Sequence, residues 1–132
     1  MAVRNASASA GSGRETALCR AVVFLGPPGA GKGTQSRVLA VRLGVPHLST
    51  GDMLREHVAR GSRLGVRARG IMQAGELVPD KLVNAMVAGW LRQQQCSRGF
   101  VVDGFPRTVN QARALNQMLA GRGGTIVINL RV

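Results

Sequence analysis

A chain of 132 residues, 45% of them hydrophobic, is long enough for one domain with a buried core and has no apolar run near the roughly 18 residues that cross a bilayer. Eighteen basic residues against six acidic ones give a net charge of +12, which suggests an anionic partner. The basic residues are spread from Arg4 to Arg131, and three Phe, one Trp and no Tyr offer few platforms for base stacking. The composition therefore favours an anionic small-molecule substrate over a specific nucleic acid or a membrane.

The first twenty residues are rich in Ala, Ser and Gly and contain three Arg and a single acid. They lack an apolar core, which argues against a secretory signal, but organelle transit segments have a similar composition. Two interpretations stay open for residues 1–20: a disordered extension, or a targeting segment for the mitochondrion or another organelle. The predicted location is the cytoplasm, with an organelle as the alternative.

After this extension, β-type and helix-type segments alternate along the chain. The clearest helix follows Pro79, where one face carries the apolar residues Leu82, Val83, Met86, Val87, Trp90 and Leu91. Strands are predicted at 21–25, 45–48, 100–103 and 125–130, and other helices at 31–43, from 49–52 to 60, 64–74 and 109–119. Such alternation predicts an α/β fold with a parallel sheet, flanking helices and ligands at the carboxyl ends of the strands.

The two cysteines and two histidines do not suggest a disulfide framework or a metal centre. Cys19 and Cys96 are far apart in the sequence, which is compatible with a reducing compartment. His47 and His57 have no partner at ligand spacing, so we expect them to be solvated or packed.

Residues 24–35 read FLGPPGAGKGTQ and lie between the first predicted strand and helix. Glycines in this context let successive backbone N–H groups face an anion, and the following helix adds the positive end of its dipole. Lys32 supplies a charge that can reach β- and γ-phosphates. Gly33 stands where Ser or Thr usually follows this lysine, and Thr34 comes one residue later. The predicted ATP-binding residues are Gly29, Ala30, Gly31, Lys32, Gly33 and Thr34.

The form GPPGAGKGTQ resembles the phosphate loop of nucleoside monophosphate kinases. LSTGDMLR (48–55), GELVPD (75–80) and FVVDGFPRTVNQ (100–111) follow in the order and spacing of adenylate kinases. The resemblance covers about residues 21–131. It implies a P-loop kinase core at 21–132 with an AMP-binding region at 49–78, holding about four of the family's five strands. The implied reaction is ATP + AMP to 2 ADP with Mg²⁺.

By resemblance, Lys32, Asp103 and Arg107 would be the catalytic residues. Arg55 and Arg107 would grip the AMP phosphate, as guanidinium groups suit phosphate geometry. Asp103 would order Mg²⁺ through its waters, together with Thr34 and the phosphates, with no metal bound by protein ligands alone. The AMP-binding residues implied are Thr50, Arg55, Glu76, Leu77, Val78, Gly104, Phe105, Pro106, Arg107 and Gln111.

Thr50 and Gln111 match the adenine form of these motifs. Relatives that prefer pyrimidine monophosphates often carry Ala and Asn there, so AMP is the predicted acceptor and UMP or CMP the alternative.

The family continues beyond its fourth strand into a mobile lid with phosphate-clamping arginines, a further strand and a terminal helix. This sequence ends at Val132, so we expect a core that is incomplete at the C-terminus. A fragment, a truncated product and a pseudoenzyme all stay open. We expect the 132 residues to bind AMP with weak or no kinase activity, the alternative being a non-catalytic AMP-binding module. The family is usually monomeric, but an unpaired edge at 126–128 would favour self-association.

Overall fold

A computed structural model describes residues 2–4, 20–27, 29–94, 99–120 and 124–130. Its elements agree with the predicted alternation of strands and helices. The strands are β1 (Ala2–Arg4), β2 (Ala21–Leu25), β3 (His47–Ser49), β4 (Phe100–Asp103) and β5 (Thr125–Asn129). The helices are α1 (Lys32–Leu43), α2 (Thr50–Arg60), α3 (Arg63–Gln73), α4 (Asp80–Gln94) and α5 (Val109–Met118).

The strands form one sheet in the order β1-β5-β2-β4-β3, in which β5, β2, β4 and β3 run parallel. The predicted α/β fold with a parallel sheet of four strands is confirmed. All four residues of β4 are buried, as expected for a strand covered by helices on both faces. In the register of β2 with β4, Phe24 lies opposite Asp103, so both strands end at the same edge.

The pleat divides the core between the two faces of the sheet. Val23, Phe100 and Val102 face a cluster that includes buried residues of α2, α3, α4 and α5. Val22 and Val101 point the other way, into a smaller cluster with Ala40 of α1. The face predicted for α4 is the one it buries, through Leu82, Met86, Val87 and Leu91.

Residues 2–4 form the strand β1, whereas the sequence predicts that they belong to a disordered or targeting extension. This strand pairs antiparallel with β5, with Val3 opposite Ile128. The predicted open edge at 126–128 is therefore wrong, and with it the reason given for self-association. A three-residue strand has too little pattern to be predicted, and its position depends on the edge available in the folded sheet.

The remaining predictions for the N-terminal extension fall on residues 5–19, outside the described residues, as does Cys19. Cys96 lies in another such segment, 95–98. Among the helices that the structure describes, none is long and apolar enough to cross a membrane.

The helices α2 and α3 pack closely at Gly65. The Ser62 hydroxyl caps α3 by accepting a hydrogen bond from the Gly65 N–H (3.0 Å), which holds the first turn of α3 in place. A Cβ added at Gly65 would overlap the carbonyl oxygen of His57 in α2. Any side chain at this position therefore requires the two helices to separate.

We predict that Gly65→Ala destabilises the protein by about 1–3 kcal/mol, the usual cost of overpacking. Gly70→Ala, in the same helix, is the matched control, because a Cβ there meets nothing within 4 Å. Alanine is the better helix former, so the control should stabilise by up to about 1 kcal/mol. Urea unfolding monitored by circular dichroism measures both, and equal effects of the two substitutions would contradict this packing.

Candidate nucleotide-binding site

The glycine loop connects the end of β2 to the start of α1. Gly29 and Gly31 have φ angles of 86° and 81°, in the left-handed region. Gly31 is the N-cap of α1, so no side chain caps the helix, and the first turn contains no acid. The first N–H groups of an α-helix have no partner within the helix, so this end can bind an anion. The predicted ATP-binding residues 29–34 surround this helix terminus.

Lys32 and Asp103 meet at the edge of the sheet where β2 and β4 end. The Lys32 ammonium forms an ion pair with the Asp103 carboxylate, and their side chains are only 18% and 11% exposed. A Cβ on Gly33 would lie 3.7 Å from Asp103 Oδ2, so the carboxylate also borders the first turn of α1. The structure thus brings together two of the three predicted catalytic residues.

The third predicted catalytic residue, Arg107, belongs to a second cluster around Gly104. The Gly104 carbonyl oxygen accepts hydrogen bonds from Thr50 Oγ1 (3.1 Å) and from Arg107 Nε (3.0 Å). Gly104 has a φ angle of 85°, and a Cβ on it would lie 2.7 Å from Thr50 Oγ1. Only glycine fits this position without strain. Phe105, fully buried, and Pro106 follow, joined by a cis peptide bond.

Gln111 is held by both ends of its side-chain amide. Its Oε1 accepts from the backbone N–H of Arg107 (2.7 Å), and its Nε2 donates to Asp80 Oδ1 (3.0 Å). Thr108, the N-cap of α5, donates to Asp80 Oδ2 (2.8 Å). Asp80 is not among the predicted site residues, although its place at the end of the GELVPD motif is a signal for a role in the site.

Most of the other predicted AMP-binding residues lie on the surface, whereas Val78 is partly buried against the core. Arg55 forms an ion pair with Asp52 in the exposed first turn of α2, and Arg37 approaches the same carboxylate (3.5 Å). The hydrogen bond from Arg55 is the main cause that lowers the pKa of Asp52. Residues 76–78 form the loop between α3 and α4, where Leu77 is 93% exposed. No hydrogen bond or ion pair among the described side chains links Arg55 or this loop to Arg107.

His47 and Ser36 form a contact that the sequence analysis missed. The hydroxyl of Ser36 donates to the Gly33 carbonyl oxygen (3.0 Å) and lies 2.9 Å from His47 Nε2. Ser36 is fully buried. Burial lowers the pKa of His47 below its ordinary 6.5, and the nearby Asp103 carboxylate opposes this shift only in part. This pair ties the first turn of α1, which carries Lys32, to β3.

Comparison with known proteins identifies the family of the chain. The family model described as Adenylate kinase matches residues 24–132. The chain belongs to the adenylate kinase family. Over 113 residues it is 52% identical to adenylate kinases of Rhizobium meliloti and Brucella ovis. The match covers 84% of this chain and 59% and 58% of those relatives. The chain thus spans about three fifths of the length of these adenylate kinases.

We predict that stability falls as the pH drops through 6.5 towards the lowered pKa of His47 in the folded state. Between the two pKa values, His47 of the unfolded chain binds a proton more readily than His47 of the folded chain. The free energy of unfolding is therefore highest above pH 6.5 and falls as the pH drops towards the folded-state pKa. Burial also lowers the pKa of His57, which adds in the same direction. Urea unfolding between about pH 7 and pH 5.5 measures the slope.

His47→Gln keeps a hydrogen-bonding group towards Ser36 but does not titrate in this range. The free energy of unfolding should then depend less on pH, and the remaining dependence should come from His57. An unchanged slope in this variant would show that the His47 contact does not contribute.

Proposed function

We propose that this site transfers a phosphoryl group from ATP to AMP, with Mg²⁺, to give two molecules of ADP. An oxygen of the AMP phosphate attacks the γ-phosphorus, a new P–O bond forms, and the bond to the β-phosphate oxygen breaks. The observation that carries the proposal is the contact of Lys32 with Asp103, because the same strand end that supplies Asp103 continues into the acceptor motif at 104–111. Membership of the adenylate kinase family supports it.

On the donor side, residues 29–34 bind the phosphates of ATP. The uncapped helix N-terminus and the left-handed glycines direct N–H groups towards the loop, and Lys32 adds a full positive charge. Asp103 holds the lysine over the loop through their ion pair. The positive charge is therefore positioned before the nucleotide arrives, which reduces the cost of ordering a flexible side chain on binding.

The chemistry of Asp103 and Thr34 suits a magnesium ion that arrives with ATP. Mg²⁺ usually takes one or two carboxylates, substrate phosphates and several waters rather than a cage of protein ligands. Asp103 offers a carboxylate at the loop, and Thr34 in the first turn of α1 offers a hydroxyl. Within the described part of the chain, no group of three or more His, Cys, Asp and Glu could hold a metal. When bound, the ion would neutralise charge on the phosphates.

On the acceptor side, the arginines bind the AMP phosphate and the cluster around Gly104 places the base. Arg107 is exposed and held at Gly104 by one hydrogen bond, which leaves the other guanidinium N–H groups for a phosphate. Arg55 joins it from α2. The base-side residues are Thr50, 76–78, 104–106 and Gln111. Thr50 and Gln111 favour adenine, and a pyrimidine monophosphate is the alternative acceptor.

If ATP and AMP have separate sites, we predict that one substitution weakens only ATP binding and another weakens only AMP binding. Lys32→Met should abolish most ATP binding and leave AMP affinity near wild type, because only the donor loop loses its charge. Arg107→Ala should weaken AMP binding by about 1.5–3 kcal/mol, the range for a hydrogen bond to a charged group, and spare ATP. Arg113→Ala, an exposed position of α5, is the matched control. Isothermal titration calorimetry measures all four proteins.

Equal losses for both nucleotides in either variant would contradict the two-site arrangement. ADP formation in a coupled assay then distinguishes phosphoryl transfer from AMP binding alone. Binding of both nucleotides without any ADP formation would favour the non-catalytic module.

A further inference from the structure

We infer that Asp80 is a positioning residue that fixes the orientation of the Gln111 amide, so that the acceptor site admits amino bases and rejects keto bases. The inference rests on the proposed acceptor function of the site. Asp80 would determine which hydrogen-bonding groups Gln111 presents to the base. The motif resemblance implied only Thr50 and Gln111 in the choice of base.

The orientation follows from the two different partners of the amide. The Arg107 N–H can only donate, so it requires an oxygen opposite, and the Asp80 carboxylate can only accept, so it requires an N–H. The observed hydrogen bonds of 2.7 and 3.0 Å satisfy both requirements. Rotating the amide by half a turn would place N–H against N–H and oxygen against oxygen. Gln111 is only 6% exposed, so water has little access to relieve such a mismatch.

Asp80 is itself held in place by two rigid elements. It is the first residue of α4, where the helix dipole favours a negative charge. Its second oxygen accepts a hydrogen bond from Thr108 Oγ1, and that hydroxyl in turn accepts one from the backbone N–H of Gln111 (3.1 Å) in the first turn of α5. The carboxylate thus joins the N-termini of α4 and α5. The Nε2 end of the amide is therefore held by a helix start rather than by the exposed loop at 76–78.

An amide fixed in this way has one lone pair on Oε1 and one hydrogen on Nε2 still available. Together they match an amino group beside an unprotonated ring nitrogen, the pattern of adenine and also of cytosine. Hypoxanthine and uracil present a carbonyl beside a ring N–H, the reverse pattern. The hydrogen-bonding groups of the fixed amide therefore match the bases of AMP and CMP and do not match those of IMP and UMP. Pocket size must separate AMP from CMP, and CMP is a better alternative acceptor than UMP.

The test compares AMP and IMP, which differ only at this edge of the base. We expect the wild-type protein to bind AMP more tightly than IMP, and Asp80→Ala to reduce that ratio of affinities at least about fivefold, the scale of one hydrogen bond. Asp52→Ala is the matched control: it removes the first-turn acid of α2, which contacts Arg55 and Arg37 and not Gln111. Any change that it causes through the phosphate should affect both affinities equally and preserve their ratio.

Three outcomes count against the account, and they are distinguishable. A wild-type protein that binds no AMP overturns the proposed function and this inference together. AMP binding with the same AMP-to-IMP ratio in wild type and Asp80→Ala overturns the inference alone. Loss of the ratio in Asp52→Ala as well shows a general disturbance of the pocket and also overturns it.

A second measurement on the wild-type protein covers the case in which Asp80→Ala does not fold. Of the two side-chain amide protons of Gln111, identified in ¹⁵N spectra by their absence in Gln111→Asn, the one bonded to Asp80 should exchange slowly with solvent. Fast exchange, as for a glutamine on the surface, would overturn the inference.

Discussion

Parallel pairing of β2 with β4 is the constraint on which the site depends. The register that sets Phe24 opposite Asp103 ends both strands at one edge, and the chain leaves each strand through a segment of the proposed nucleotide site. The loop after β2 leads to Lys32, and β4 supplies its partner Asp103. The pleat sends Val22 and Val101 to one face and Val23 and Val102 to the other, so each face of the sheet packs against its own apolar cluster.

The proposed donor and acceptor sites meet in the segment that follows β4. Asp103 contacts the donor loop, whereas the next residue, Gly104, holds Thr50 and Arg107 through its carbonyl oxygen. A side chain at Gly104 would collide with Thr50, so the approach of α2 to this segment depends on glycine. The transfer of a phosphoryl group needs two nucleotides in line at a short distance. Asp103 on the proposed donor side and Gly104 on the proposed acceptor side are adjacent in the chain, which gives that proximity.

The sequence was sufficient for the parts of this structure that have a local signal. Apolar runs predicted β2 and β4, the apolar face predicted the buried side of α4, and the glycine loop predicted a helix that begins directly after it. Contacts that depend on tertiary packing had no such signal. Ser36 meets His47, and Asp80 meets Gln111 across 31 residues, only after helices and sheet have assembled. The edge strand β1 was missed because three residues carry no usable period.

In the proposed site, Lys32 binds the phosphates of ATP and Asp103 makes that binding depend on Mg²⁺. The most direct test is the affinity for ATP with and without Mg²⁺, measured in the wild-type protein and in Asp103→Asn, which keeps the size of the side chain and removes its charge. The account predicts that Mg²⁺ strengthens ATP binding in the wild-type protein and does so much less in the variant. An equal response to Mg²⁺ in the two proteins would contradict it.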